Sequence, residues 1–315
     1  MVSFKQQDSQ SVQQLIEQAK GKGSKKLMEK IMPKILFLTA LVSVLTTIGI
    51  VFTLIFETFE FFTRVNIIDY LIGREWLPFA GDSPAYGVLP LIAGTLKVTL
   101  IAAVVAVPLG IAAAIYLSEY ASDKIRRTIK PILEVLAGVP TIVYGFFALT
   151  FVTPIIQTVI PSVKIFNAIS PGIVIGIMIL PMIASLSEDA MSSVPNSIRE
   201  GALALGSTKL EVTLKVILPA AISGILSSIV LAVSRAIGET MIVSLAGGST
   251  PKFDMNITDS IQTMTAYIVQ VSSGDAGYGT TIYYSIYAVG FTLFIFTLLM
   301  NLLAHFISKR FKEEY

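Results

Sequence analysis

Residues 200–221 read EGALALGSTKLEVTLKVILPAA, and this stretch decides how the rest of the sequence is interpreted. Apolar residues recur at helical spacing in two short runs, which predicts two helices. Gly206 separates the runs, and Thr208 after it can cap the second helix. The apolar residues are Ile198, Ala202 and Leu205 in the first run and Leu210, Leu214 and Ile217 in the second. A half-apolar helical hairpin of this kind fits a groove on a partner protein.

On both sides of the hairpin the chain has the composition of a membrane protein. Hydrophobic residues make up 54% and charged residues 14% of the 315 positions, and the mean hydropathy is +0.76. Soluble proteins carry about 25% charged residues, and a spanning helix needs about 20 mostly apolar residues. Six segments qualify: 35–56, 88–118, 131–153, 171–187, 220–246 and 281–307. The predicted fold is an all-α integral membrane protein with six transmembrane helices.

Lysine and arginine residues outside the predicted spans fall mainly on one side of the membrane. The residues before the first span (1–34), the loop after the second span, the hairpin loop and the C-terminal end hold seven, four, three and three of them. The three loops on the other side hold two, one and one. Because cytoplasmic loops carry the excess of positive charge, we expect the hairpin and both termini in the cytoplasm.

The predicted spans divide the chain into four segments. Residues 1–33 form a polar cytoplasmic tail, and residues 34–87 form the first transmembrane helix with an outer loop. Residues 88–307 form the transmembrane core, which includes the hairpin loop at 188–219. Residues 308–315 form a cytoplasmic end.

The composition also argues against several kinds of chemistry. The chain has no cysteine and a single histidine, His305, so thiolate sites and histidine-cluster metal sites are excluded. Residues 201–208 come close to a phosphate-binding loop, but the required lysine and a preceding strand are missing. We therefore expect no cofactor, no ATP binding by this chain and no nucleic-acid partner. The rival classes are a membrane enzyme, which would need a catalytic constellation, and an independent channel or carrier, which would not need the hairpin.

Two opposite charges lie inside the fifth predicted span, in its stretch LAVSRAIGETMIVSL at residues 231–245. A charge at the centre of a bilayer costs at least about 2.5 kcal/mol, so Arg235 and Glu239 need a reason to be there. Their i,i+4 spacing predicts that the side chains meet on one helix face. The planar guanidinium suits a tetrahedral oxyanion, and Thr240 adds a hydroxyl to the same path. The alternative is a structural ion pair that fixes the orientation of the helix.

A third charge, Lys97, lies about three turns into the second span, between Thr95 and Thr99. It either lines the outer mouth of a path and attracts anions, or extends its ammonium to the outer headgroups. The sequence leaves both readings open.

The hairpin resembles the EAA loop of bacterial ABC-importer permeases. The matching positions are Glu200, Gly201, Ala202, Gly206 and the segment Ile217-Leu218-Pro219. Gly201 departs from the alanine of the motif, which should weaken the short helix by up to about 1 kcal/mol. The resemblance implies a type I ABC-importer permease fold whose coupling helix docks into a separate cytoplasmic ATPase. It assigns the coupling role to Glu200, Gly201, Ala202, Gly206 and Pro219.

Three further segments are similar to the PstC permeases of high-affinity phosphate importers. They are GTLKVTLIAAVVAVPLGIAAAIYLSEYA (94–121), VPTIVYGFFAL (139–149) and SRAIGETMIV (234–243). In those permeases the matching arginine and glutamate are tied to transport, which implies this role for Arg235 and Glu239. The implied setting is a bacterial inner membrane. The implied partners are a PstA-like permease, two copies of a PstB-like ATPase, a PstS-like phosphate-binding protein and inorganic phosphate. A permease for sulfate or molybdate and a PstA-type subunit remain alternatives.

Overall fold

The computed structural model describes residues 23–81 and 83–310, which are mainly helical. Up to residue 192 the helices are α1 (Gly23–Phe62), α2 (Ile67–Ile72), α3 (Leu89–Ile115), α4 (Asp123–Ala137), α5 (Thr141–Phe147), α6 (Thr153–Val159) and α7 (Ile169–Ser192). Beyond it they are α8 (Asn196–Ala204), α9 (Lys209–Val212), α10 (Leu218–Ala220), α11 (Ile222–Ile237), α12 (Met241–Ala246), α13 (Met264–Gln270) and α14 (Thr281–Arg310). π-Helical turns occur at Tyr116–Tyr120, Ala148–Val152, Thr213–Ile217 and Val271–Asp275. Strands β1 (Trp76–Leu77) and β2 (Ala85–Tyr86) pair antiparallel.

Helix α1 begins at Gly23, within the predicted polar tail, so residues 23–33 of that tail are helical. Residues 1–22 and 311–315, which include the rest of the predicted tail and most of the predicted C-terminal end, lie outside the described residues. The chain divides into two compact units, one up to Phe56 and one from Glu57 onward. In the first unit most of the large apolar side chains of α1 are exposed, which is typical of a lipid-facing helix.

The prediction of a multi-span helical membrane protein is confirmed. Five stretches of the described residues are long and apolar enough to cross a membrane: Met28–Phe62, Leu89–Tyr120, Thr141–Val159, Ile169–Ser192 and Thr281–Leu303. A sixth is a bent pair, Lys209–Ala220 and Ile222–Ile237, whose two parts meet at 70°. Counted with this pair, the spans number six.

The third span was predicted at residues 131–153, and this placement is wrong. The apolar stretch that crosses is Thr141–Val159, whereas residues 123–137 form the separate helix α4. Charged residues on one side of α4 and apolar residues on the other make it amphipathic, which suits the edge of a bilayer better than its centre. Pro140 lies between the two helices with ψ of 134°, which interrupts the helical backbone there.

The fifth span was predicted as one helix over residues 220–246, and this too is wrong. Helix α11 ends at Ile237, Gly238 and Glu239 lie outside regular helix, and α12 restarts at Met241. Gly238 has the highest cost in a helix of any residue except proline, which explains why the break falls there. Broken backbone at membrane depth is tolerated where protein or a water-filled cavity surrounds it.

Helices α3 and α7 pack closely because each offers small residues to the other. A Cβ added at Gly172 would lie 2.7 Å from the Cβ of Ile101, and one added at Gly110 would lie 2.8 Å from the Cβ of Ile183. Ala102 is fully buried at this contact. In lipid there is no hydrophobic driving force between helices, and close van der Waals packing of this kind drives their association instead. Helices α3 and α7 therefore form a tightly packed pair.

The end of the bundle opposite the hairpin is closed by aromatic side chains. Trp76 and Tyr70 are almost fully buried, and the Trp76 ring meets Tyr267 edge-on with centroids 4.8 Å apart. Edge-to-face aromatic pairs of this kind add about 0.5–1.5 kcal/mol beyond the area that they bury. The β1–β2 ribbon therefore packs onto α13 instead of projecting freely.

Candidate functional site

The predicted helical hairpin is present between α7 and α11. Helix α8 is its first helix, and Gly206 follows with φ of +88°, a left-handed backbone that glycine adopts without strain. Thr208 caps α9: its hydroxyl accepts a hydrogen bond from the Glu211 amide, and the Glu211 carboxylate accepts one from the Thr208 amide. The second helix then runs through a π-helical turn to Pro219, where the chain bends into α11. The predicted turn at Gly206 and the predicted cap at Thr208 are both present.

The two faces of the hairpin differ from the predicted assignment. Ile198 and Ala202 pack inward against the buried cluster that contains Val212 and Ile217, as expected. Leu205, predicted to join them, sits at the end of α8 and is 89% exposed. Leu210 and Leu214 are exposed while Ile217 is buried, because the π-helical turn shifts the register between them. The exposed large apolar residues of the hairpin are Leu203, Leu205, Leu210 and Leu214.

Two motif positions of α8, Glu200 and Gly201, leave room for a partner, whereas Ala202 packs inward. Glu200 and Gly201 are exposed, and a Cβ added at Gly201 would meet no atom within 4 Å. Within the part of the chain that is described, no hydrogen bond or ion pair engages the Glu200 carboxylate. Gly206 is similarly open, with nothing within 4 Å of an added Cβ. Neither the Glu200 side chain nor the positions of Gly201 and Gly206 are therefore needed for the internal packing of the hairpin.

Arg235 lies in the last turn of α11, at the end of that helix away from the hairpin. Its side chain is exposed, and it makes no ion pair or hydrogen bond with any described residue. The phenol of Tyr144 on α5 lies in its neighbourhood and donates a hydrogen bond to the Leu136 carbonyl at 2.7 Å. The guanidinium is thus available to a ligand from outside this chain.

Glu239 does not pair with Arg235, so the predicted i,i+4 ion pair is wrong. Because α11 ends at Ile237, the two residues are not on one helix. The Glu239 side chain is 8% exposed and turns toward α12, where its Oε1 accepts hydrogen bonds from the Met241 amide at 3.1 Å and the Ile242 amide at 3.3 Å. A carboxylate at a helix N-terminus satisfies free amides and meets the positive end of the helix dipole.

The break around Thr240 is held from two neighbouring elements. The Thr265 hydroxyl donates to the Glu239 carbonyl at 2.7 Å, and the Thr240 hydroxyl donates to the Gly238 carbonyl at 3.1 Å. On the other side, a Cβ added at Gly145 of α5 would lie 3.1 Å from the Met241 carbonyl oxygen. The segments VYG and GETM, which carry part of the resemblance, are therefore in direct contact.

Lys97 is neither a free cation nor extended to the lipid headgroups. Its side chain is buried, and its Nζ donates to Asp254 Oδ1 at 2.7 Å and to the Asn256 carbonyl at 3.2 Å. Asp254 belongs to the loop between α12 and α13, and the bond from Lys97 holds the pKa of that carboxyl below its usual range. The structure supports neither an anion-attracting Lys97 at the outer mouth nor a Lys97 extended to the headgroups. It shows an ion pair that anchors this loop to α3.

Sequence reasoning missed a second set of charges at the hairpin end. Glu188 on α7 is buried, and its carboxylate pairs with Arg126 and, at 2.8 Å, with Lys130 of α4. Hydrogen bonds to Asp189 and Glu188 raise the pKa of Lys130 above its ordinary value. Glu188 continues the buried face of α7 one turn beyond Ala184. That periodicity is the signal that could have identified it as an inward-facing carboxylate.

The comparisons with known proteins agree with this geometry. Residues 106–313 match the family model described as binding-protein-dependent transport system inner membrane component. The chain is 37% identical over 248 residues to a probable ABC transporter permease protein, YqgH, from Bacillus subtilis, covering 79% of this chain and 80% of the relative. It is 32% identical to the phosphate transport system permease protein PstC of Mesorhizobium japonicum, covering 77% and 78% of the two chains. It is also 32% identical to PstC 1 of Mycobacterium tuberculosis, covering 78% and 83%.

Solved structures share the fold at low sequence identity. A chain of a bacterial alginate ABC transporter superposes with a TM-score of 0.62 at 14% identity, covering 91% of this chain and 98% of that one. A chain of the MetNI methionine ABC transporter in an inward-facing conformation gives 0.57 at 17% identity, covering 72% and 96%. These similarities establish the architecture, which is the type I importer permease fold.

Proposed function

Because the chain belongs to the family of inner membrane components of binding-protein-dependent transport systems, we propose that it is the PstC-type permease subunit of an ATP-driven phosphate importer. The sequence relatives at 30–32% identity include phosphate permeases from several organisms. A permease of this family is a membrane subunit without its own catalysis, and ATP hydrolysis takes place on a separate subunit. The partners are accordingly an ATPase and a substrate-binding protein.

The observation that supports a role in anion transport is the free guanidinium of Arg235. Desolvating an unpaired arginine within a span is costly, and no described residue neutralises it. An oxyanion that passes along the exposed face of α11 would neutralise it through a bidentate contact. Glu239 and Thr240 contribute to the path by holding the break that ends α11 beside Arg235.

The hairpin supports the coupling role of Glu200, Gly201, Ala202, Gly206 and Pro219. Its exposed leucines offer an apolar surface to a groove, and the exposed carboxylate of Glu200 lies on the same helix as Leu203. The occupant of this surface is a PstB-like ATPase present in two copies, one for this chain and one for a PstA-like partner. A PstS-like protein delivers phosphate on the other side of the membrane. With the hairpin facing the ATPase, both termini are cytoplasmic, in accord with the charge asymmetry of the loops.

The test of this function is phosphate uptake by Arg235 variants. Arg235→Gln should abolish uptake of radiolabelled phosphate in cells without other phosphate carriers, because the anion loses its cation. Arg235→Lys should also transport poorly, since a point charge does not reproduce the planar fork. Arg127→Gln is the matched control, because Arg127 is an exposed arginine on α4. Assembly is checked by co-purification of the ATPase, and wild-type uptake in assembled Arg235→Gln would remove this residue as an anion ligand.

The identity of the anion is tested in the same cells. Excess unlabelled phosphate should suppress uptake through the wild-type protein, whereas sulfate and molybdate should leave it unchanged. Suppression by sulfate or molybdate and not by phosphate would favour the alternative oxyanion permease.

A further inference from the structure

Arg199 of α8 makes four polar contacts with three different parts of the chain. Its Nη2 donates to the Met191 carbonyl at 2.6 Å and to Glu119 Oε1 at 3.2 Å. Its Nη1 donates to the Val194 carbonyl at 3.0 Å and to Asn196 Oδ1 at 2.9 Å. One guanidinium thus connects the hairpin to the end of α7 and to the π-helical turn that follows α3.

The contacts of Arg199 with Glu119, Met191 and Val194 are partly shielded from water, unlike an ordinary surface ion pair, whereas the contact with Asn196 is exposed. The side chain of Arg199 is 18% exposed and that of Glu119 is 7% exposed. The Ser118 hydroxyl donates to the Glu119 oxygen that faces Arg199, at 2.8 Å, which fixes the carboxylate in place. Removing one partner of a desolvated, hydrogen-bonded pair leaves the other uncompensated. The pair therefore constrains the position of α8 more strongly than the exposed charges of the hairpin do.

The other internal contacts of α8 are of a kind that permits sliding. Ile198 and Ala202 pack on an apolar cluster, and apolar contacts are non-directional. The Met191 carbonyl at the end of α7 accepts a hydrogen bond from the Val194 amide at 3.3 Å, and Arg199 adds a shorter, charged one to the same oxygen. In contrast to the apolar contacts, the planar fork of arginine sets both distance and direction. A displacement of α8 is consequently carried to the ends of α3 and α7 through Arg199.

Both receiving helices extend toward the end of the bundle opposite the hairpin. Helices α3 and α7 are packed against each other through their small residues, as described above. Near its far end α3 carries Lys97, which anchors the loop between α12 and α13 through Asp254. The packed helices α3 and α7 thus link the Arg199–Glu119 contact at the hairpin end to the loop between α12 and α13 at the other end.

From these contacts we infer that Arg199 is a positioning residue for coupling, which with Glu119 converts movement of the hairpin into movement of α3 and α7. The inference rests on the proposed function, because it requires an ATPase that moves the hairpin. Arg199 itself touches neither the transported anion nor ATP in this arrangement.

The test uses the whole transporter complex reconstituted in lipid vesicles, with Arg199→Lys and Glu119→Gln as the variants. Lysine keeps the charge, but its three donors share one nitrogen and do not reproduce the planar fork that reaches the four acceptors of Arg199. We expect basal ATP hydrolysis to stay near the wild-type rate, and stimulation by the phosphate-loaded binding protein to fall by at least about tenfold, within the usual range of coupling between sites. Arg127→Lys, an exposed arginine on α4, is the control and should keep full stimulation.

The outcomes separate this role from a merely structural one. A structural role would lower the amount of assembled complex but leave the stimulation ratio of each assembled complex unchanged, and that result would overturn the inference. If Arg199→Lys does not assemble, Glu119→Gln decides the matter, because it leaves the contacts to Met191 and Val194 in place. The double variant should be no worse than the more severe single variant, since both changes act on one contact. If the losses of stimulation in the two single variants add up fully in the double variant, Arg199 and Glu119 do not act through a shared contact.

Failure of the proposed function is distinguishable in the same experiment. If the wild-type complex shows no stimulation by the phosphate-loaded binding protein, the phosphate importer itself is refuted. If the wild-type complex is stimulated and both variants are stimulated equally, only the role of Arg199 is refuted.

Discussion

Glu239 is the residue whose interpretation changes most between sequence and structure. It caps α12 with a buried carboxylate, and Arg235 is left to act alone. Exchanging the two charges would place a guanidinium against free amides at a helix N-terminus, where a positive charge is unfavourable. A charge-swapped protein would therefore lose activity even if the two residues had no part in anion binding. Separate substitutions at each position are the informative experiment.

The capping role of Glu239 leads to a specific prediction. Glu239→Ala should destabilise α12 by about 1 kcal/mol, because two amides lose their acceptor. Glu239→Gln keeps an acceptor oxygen and should retain most of the stability and the uptake. The measurements are the thermal midpoint of the purified complex and phosphate uptake in cells. A glutamine variant as unstable as the alanine variant would show that the charge, and not the cap, matters most at this position.

At the scale of the elements, the hairpin depends on one left-handed residue. Gly206 has φ of +88° with open space around it, so a leucine there would meet no clash but would cost roughly 1–2 kcal/mol of backbone strain. Gly206→Leu should reduce phosphate-stimulated ATP hydrolysis, and Gly206→Asn should reduce it less, because asparagine tolerates this conformation. Equal activity of the leucine variant and the wild type would mean that the hairpin geometry does not govern coupling.

Gly201 provides the opposite case within the same element. Because a Cβ meets no atom there, Gly201→Ala should strengthen α8 by up to about 1 kcal/mol. Its hydrolysis should match or exceed that of the wild type. This variant serves as the control for Glu200→Ala, which should lower stimulated hydrolysis by removing an exposed carboxylate from the docking face. Wild-type hydrolysis in Glu200→Ala would argue against contact between that carboxylate and the ATPase.

At the scale of the whole molecule, the orientation in the membrane is testable because the chain has no cysteine. Cysteines introduced at the exposed residues Ser162 and Ser273 should react with an impermeant reagent from outside the cell. A cysteine at Ser122, exposed between α3 and α4, should react only after permeabilisation. The physical reason is the excess of lysine and arginine on the hairpin side. External labelling of the Ser122 variant would invert the orientation.

By itself the sequence determined those features that depend on residues close to one another along the chain. Long apolar runs fixed the number of spans, since about 20 apolar residues must cross the bilayer whatever their neighbours are. Gly206 and Thr208 fixed the turn and cap of the hairpin, because left-handed glycine and hydroxyl capping act within a few residues. The motif spacing around Glu200 identified the family for the same reason.

Only the tertiary structure decided where the charges go. Lys97 and Asp254 are far apart in sequence, as are Glu119 and Arg199, and no local pattern records which carboxylate a given cation meets. The break after Ile237 lies in an apolar run that predicts a single span. Gly238 favours the break, and contacts from Thr265 and from α5 hold it. Desolvation makes an unpaired buried charge so costly that its partner is selected by the packed fold as a whole. The sequence supplied the charges, and three-dimensional packing determined that Glu239 caps a helix while Arg235 stays free.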